Sequence, residues 1–337
     1  MIDLQLRISP KLVRQIAAIE RLSGRLEKTS LAAHEESGEN DRAIRDGSIA
    51  AMRLDSTVSP MDISPSDKVG SQDTSSAFQL LLAAHSVPFS PDIRGICSLY
   101  AAITGAEFNL EEDDIAESDA FRKSVAPFSA PAAGKDEIIF STIQPFLAPK
   151  RFADLVEWLQ QELEEGTHHP LLLIGTFHLL FLQTSPFPQA NHRVALVTMW
   201  HLLKDQEYTS VQFRHIAPAL ERSSKAYFAA LRQAEKTALT TWASCNGWLE
   251  LFLTALESGA RDLLESAESR IEKLRLTVVQ KKIFDIIKTE GPVTREKIAD
   301  VSGINISTVK YNLSVLSARG VLNRLGGGRT TSYTVFN

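Results

Sequence analysis

Apolar residues recur every three or four positions over long tracts of this chain, and few stretches alternate. Leu12, Ile16, Ile19 and Leu22 mark a helix near the start. Phe152, Leu155, Val156, Trp158 and Leu159 mark another beginning at Arg151. Residues 170 to 182 and 194 to 203 are apolar on nearly every side, which predicts helices enclosed within a bundle rather than lying on it. Residues 35 to 41 are polar and predict a loop. Residues 56 to 76, with Pro60 and Pro65 among serines and aspartates, predict an exposed connection. Glu111, Glu112, Asp113, Asp114, Glu117 and Asp119 form an acidic cluster that reads as a solvated loop, since no histidine frames it.

The last sixty residues change character. Ile283, Phe284, Ile286 and Ile287 give one helix an apolar face, and Gly291-Pro292 stops it. Thr294 is placed to cap a second helix, and Ser302-Gly303 makes the turn to a third, from about Ser307 to Ala318. Two β-rich runs follow, residues 321 to 325 and 331 to 336, joined by Gly326-Gly327-Gly328-Arg329. This order resembles a winged helix-turn-helix domain. The resemblance implies a third helix in the DNA major groove, with Val309, Leu313 and Leu316 inward. Asn305, Ser307, Thr308, Lys310, Tyr311 and Asn312 then face the bases and phosphates, and Arg329 sits at the wing tip.

Charge sharpens this picture. The chain has 337 residues and a net charge of −5, but residues 276 to 337 carry nine basic and four acidic side chains, against a balance of −10 elsewhere. A basic module on an acidic body suits a polyanion partner. With 44% hydrophobic and 23% charged residues, wholesale disorder and fibrous classes are excluded. Cys97 and Cys245 are far apart in apolar surroundings, which argues against a bridge or a metal site and fits a reducing compartment. The longest apolar stretch, residues 171 to 182, is too short to span a bilayer, and the N-terminus lacks the apolar core of a signal peptide. The expectation is a cytoplasmic protein with no membrane partner.

Between the two enclosed helices lies Thr184-Ser185-Pro186-Phe187-Pro188-Gln189-Ala190-Asn191-His192-Arg193. A loop that breaks two buried helices and puts Asn and Arg at a helix start is suited to anions. This stretch resembles the signature of the Fic family, His-Pro-Phe-x-Asp/Glu-Gly-Asn-Gly-Arg-x-x-Arg. Support comes from His178 and Phe181 upstream, and from Tyr227, Trp242, Trp248 and Phe252 downstream. Phe121-Arg122-Lys123-Ser124 with Ile138-Ile139-Phe140 resembles the family's target-clamping flap. The resemblance implies a mainly α protein: a helical bundle with a small β-hairpin flap, plus a C-terminal α+β winged helix. Its parts would be an N-terminal helical region (1–75), a Fic-like domain (76–265) and the winged helix (276–337).

Family members transfer AMP from ATP to protein hydroxyls, and the departures here fall on that chemistry. Ser185 stands at the general-base histidine and is no proton acceptor near neutral pH. Gln189 stands at the Mg²⁺ ligand, and a neutral amide suits a hard cation poorly. Ala190 and His192 replace the glycines, and Leu196 the second arginine. Asn191 and Arg193 survive and, with Ala190 and His192, are the candidate nucleotide- or anion-binding residues. At the position of the family's inhibitory glutamate stands Ala50, or Met52 if the register is shifted to start from Ser48, within residues 42 to 55. His178 reads as a core histidine, His192 as a solvent-facing residue at a helix start, and His168-His169 as a loop pair.

The reading is therefore a DNA-binding regulator built on a catalytically impaired Fic-like domain. The alternative is a protein adenylyltransferase with a non-standard site. No cofactor is certain: ATP or another nucleotide is the candidate, Mg²⁺ and other metals are not expected, and a homodimer is compatible with the sequence.

Overall fold

The computed structural model describes residues 8–28, 38–56, 76–106, 120–131, 136–235, 245–274, 276–326 and 331–335. They divide into two compact units, Met1–Leu264 and Glu265–Asn337. The acidic cluster, Trp242, Arg329 and nearly all of the serine-rich connection lie outside the described residues.

The first unit is mainly α. In chain order it holds α1 (Pro10–Lys28), α2 (Glu39–Leu54), α3 (Ser76–Ala84), α4 (Ile93–Thr104), the strands β1 (Phe128–Ala130) and β2 (Glu137–Phe140), α5 (Ala148–Glu165), α6 (Pro170–Thr184) and α7 (Asn191–Asp205). Short helices α8 (Ser210–Phe213) and α9 (Ala217–Arg222) lead to α10 (Ser224–Glu235) and the long α11 (Asn246–Leu274), whose residues from Glu265 onward fall in the second unit. Helix α2 starts earlier than the polar sequence suggested, because Glu39 and Asp41 suit the positive end of a helix.

Helices α6 and α7 form the axis. From Leu171 to Leu182 every α6 side chain is buried, and so is every α7 side chain from His192 to Leu203. An apolar surface on all sides requires neighbours on all sides: α5 packs on α6, and α2 and α4 pack on α7. Gly175 lets α11 close over α6. A Cβ there would fall 2.7 Å from Leu249, and Trp248 Nε1 donates to the Gly175 carbonyl at 2.7 Å. Antiparallel β1 and β2 form a hairpin, pairing Phe128 with Phe140 and Ala130 with Glu137.

The second unit has its own core of Ile283, Ile287, Val293, Ile298, Val309, Leu313, Leu316, Val321 and Leu322. It comprises α12 (Val278–Glu290), β3 (Val293–Thr294), α13 (Arg295–Ser302), α14 (Ile306–Ala318), β4 (Leu322–Leu325) and β5 (Ser332–Val335). Helix α12 begins at a reciprocal cap between Thr277 and Gln280, a T-x-x-Q signal legible in the chain. Strand β3, of which the sequence reading gave only Thr294 as the cap of the next helix, joins the hairpin as an edge in the order β3-β5-β4.

Among the described residues of the first unit five histidines are buried: His85, His178, His192, His201 and His215. His215 Nδ1 accepts from the Ala217 amide, so its Nε2–H donates to His85 Nε2 at 3.2 Å, and His85 Nδ1–H donates to Leu81 O. Gly47 admits the His215 ring, whose Cγ would lie 2.3 Å from a Cβ at that position. Desolvation, the leading cause in each case, lowers the pKa of His85, His192 and His201 to about 4 and of His178 to about 3. It holds His215 well below its usual value. A pKa depressed by folding gives stability that is complete above the unfolded value near 6.5 and is lost as pH falls toward the folded values. Each such ring costs about 2 kcal/mol at pH 5. The melting temperature followed by circular dichroism is therefore expected to fall steeply between pH 6.5 and 4; a flat profile there would contradict neutral buried rings.

Candidate functional site

The break between α6 and α7 is buried at Thr184, Ser185, Pro186, Phe187 and Ala190, while Pro188 and Gln189 reach solvent. Two of its residues adopt left-handed backbone, Ser185 at φ 40° and Ala190 at φ 60°, a conformation that costs a non-glycine residue about 1–2 kcal/mol. Side chains hold the turn in place. Asn191 accepts from the Phe187 amide at 2.9 Å and donates to the Phe187 carbonyl at 2.8 Å. Phe187 is fully buried, stacked on Tyr100 at 4.2 Å between ring centres and packed by Phe121, Phe152 and Phe181. Ser185 Oγ donates back to Leu182 O at 2.6 Å.

Arg122 clasps the same break from the other side. Its guanidinium donates to the carbonyls of Ser185, Ser124, Thr184 and Ile143, and its own amide donates to Pro186 O. The positive charge thus sits on the carbonyl end of α6, where the helix dipole favours it. Of the residues compared with a flap, Ile138, Ile139 and Phe140 lie in β2, while residues 121 to 124 precede the hairpin, with Lys123 and Ser124 exposed. Phe121 and Arg122 are buried structural groups, and the hairpin is built by β1 and β2.

Arg193 points to the end of α2. Its Nε donates to Asp55 Oδ2 at 2.8 Å, and the two side chains are 8% and 3% exposed. His192 is corrected as well: it faces the interior, not solvent. Its Nδ1–H donates to Leu54 O and its Nε2 accepts from Tyr227 O–H at 2.8 Å. Tyr227 in turn accepts from His178 Nε2–H at 2.9 Å. With both rings neutral, these directions are fixed, and burial pushes the phenol far above its usual range. Phe128 and Phe228 cover the His192 ring. Ala50, at the family's inhibitory glutamate position, is a buried core residue of α2.

On α14 the helix starts at Ile306, because Asn305 is the cap. Its Oδ1 accepts from the Ser307 amide at 2.9 Å and from Ser307 Oγ at 2.6 Å. Ser307, Thr308, Lys310 and Tyr311 are exposed, the tyrosine at 69%. Asn312 departs from the sequence reading. It is buried, and its amide donates to Thr308 O one turn back, so it belongs to the inner face.

No sequence-family model matches the chain, and no curated protein does. Solved structures do. A Fic family protein from Desulfovibrio desulfuricans superposes over 99% of this chain and 98% of its own, with a TM-score of 0.62 and 17% identity. A Fic domain containing signaling protein from Bacteroides thetaiotaomicron superposes over 74% of this chain and 98% of its own, with a TM-score of 0.51 and 14% identity. The fold is the Fic fold.

A Fic fold raises the expectation of Mg²⁺-bound ATP at this loop, and the residues present do not fit it. No carboxylate stands in the loop, and Gln189 is exposed at the position where one would hold the ion. The His192 imidazole fills space that a glycine would leave open, Arg193 is neutralised by Asp55, and both ends of the Asn191 amide are used by Phe187. Among the described residues no group of three or more His, Cys, Asp and Glu side chains is arranged for a metal, and no helix is long and apolar enough to cross a membrane. Sequence reasoning missed Asp55 as the partner of Arg193; its one signal was its place at the end of the stretch compared with an inhibitory helix. The Tyr227 hydroxyl was also missed, since its sequence neighbourhood reads only as aromatic packing.

Breaking the buried pair is expected to cost about 3–5 kcal/mol in Asp55→Ala, measured by urea unfolding. The double change Asp55→Ala with Arg193→Met is expected to recover part of that loss, because no charge is then left unpaired. Tyr227→Phe strands one donor and one acceptor and is expected to cost about 1–3 kcal/mol; equal stability to the parent would refute the assigned relay.

Proposed function

We propose that the protein is a DNA-binding regulator whose Fic-fold unit carries no transferase chemistry. The observation that carries the reading is the outward face of α14. It presents Ser307, Thr308, Lys310, Tyr311 and Ser314 to solvent and no carboxylate. The order helix, strand, two helices, hairpin, with the first strand closing the sheet edge, supports reading this unit as a winged helix. In that arrangement α14 enters the major groove, where hydroxyls and one ammonium serve base edges and phosphates and the Tyr311 ring adds apolar contact. Asn312 plays no part, being turned inward, and Asn305 acts through the cap that orients the first turn.

The first unit supports the non-catalytic half of the reading. Ser185 is buried and bonded to its own helix, so no base stands at the position from which a proton would be taken. The cation of the loop is already matched by Asp55.

Fluorescence anisotropy of the full chain with mixed-sequence duplex DNA at low salt tests the first half. Salt-sensitive binding is expected, weakened about tenfold by Lys310→Glu, with a shallower salt slope because one fewer phosphate is neutralised. Absence of salt-dependent binding would overturn it. Incubation with labelled ATP, Mg²⁺ or Mn²⁺ and lysate tests the second. No label transfer is expected, and transfer abolished by Arg193→Ala would restore the adenylyltransferase reading.

A further inference from the structure

Apart from the loop between α6 and α7, the first unit has a cleft of about 560 Å³ between the end of α2, the β1–β2 hairpin, α9 and α10. None of residues 184 to 193 lines it, so it is not the loop pocket under another description. Its volume lies within the range of small-molecule sites, which hold an apolar body on apolar walls and orient it with a few polar groups.

The chemistry of the walls selects the ligand. Pro131 and Ala229 give an exposed apolar lining, and Leu54, Ala130 and Phe228, each less than a tenth exposed, add only their edges, Phe228 an aromatic one. Two ion pairs cross between elements at this cleft: Arg53 with Glu221 at 3.2 Å, joining α2 to α9, and Arg232 with Glu137 at 2.5 Å, joining α10 to β2. Each carboxylate of the lining is thereby matched by an arginine. Lys225 is the cation left over: it is exposed, and no described carboxylate lies within ion-pair distance of it. Among the described residues the lining has three cations and two carboxylates, which leaves the charge of Lys225 unmatched beside the apolar lining.

We infer that this cleft binds a small organic anion, an aromatic or aliphatic body bearing one carboxylate. The anionic group pairs with Lys225 and the body lies over Pro131 and Ala229, against the edge of the Phe228 ring. A cation gains no partner here, because Glu137 and Glu221 already have theirs. A neutral ligand gains only the apolar contact. The inference is independent of DNA binding, and it gives the first unit a ligand without calling on the closed loop.

The test is a titration of the full chain, labelled at its alanine methyls, with 1-naphthoate, followed by nuclear magnetic resonance. Saturable shifts are expected at the methyls of Ala130 and Ala229. Lys225→Gln is expected to weaken binding about tenfold. Ala229→Trp, on the exposed side of α10, is expected to fill the cleft and abolish the shifts. 1-Naphthalenemethanol is expected to bind more weakly, and 1-naphthylmethylamine not to bind saturably. The proposal is overturned if naphthoate gives no saturable shift at millimolar concentration. It is equally overturned if the neutral and cationic analogues bind as well as the carboxylate, or if both variants bind naphthoate like the parent.

Discussion

The chain breaks between its two most deeply buried helices, and every peptide group at that break must find a partner inside the protein. Water does not reach most of it, and an unpaired buried amide or carbonyl costs as much as a lost hydrogen bond. Arg122 answers for the carbonyls of Thr184 and Ser185, and Asn191 for both polar groups of Phe187. The ring of Phe187 then fills the space under the turn. The left-handed backbone at Ser185 and Ala190 persists because these contacts over-determine it.

The same enclosure explains why the loop looks inert. In a site open to a phosphate, the arginine after the loop has no permanent partner and the small residue before it leaves room. Here Arg193 has Asp55, and the ring of His192 reaches Tyr227 and the end of α2. These groups stabilise the bundle only while they keep each other company, since either charge alone would be costly to bury. Arg193 and His192 thereby close the core. The polar surface that remains unspent lies elsewhere: on the outer face of α14, and at Lys225 in the cleft beside the hairpin.

Much of this was legible in the chain. The apolar runs of α6 and α7 could only be enclosed helices, and Ile283, Ile287, Val309, Leu313 and Leu316 fall on the inner faces that their spacing assigns. Phe187 and Asn191 carried the resemblance that the superposed structures match at the level of the fold. Less legible were the short elements. Strand β3 spans two residues, and its pairing with Tyr333 and Ser332 lies about forty residues away, beyond any local pattern. Asn312 looked like part of a polar recognition face, but its amide finds a carbonyl one turn back and the side chain turns in.

The sequence by itself determined the helical bundle, the separate basic module and the serine that stands where the signature it resembles has a histidine, because periodicity, charge and residue identity are properties of the chain. Only the tertiary structure decided what Arg193, His192 and Tyr227 touch. Their partners, Asp55, Leu54 and His178, come from segments 49 to 138 residues away. Whether a cation is free or paired depends on what folding brings within about 3 Å of it, and linear spacing holds no record of that distance.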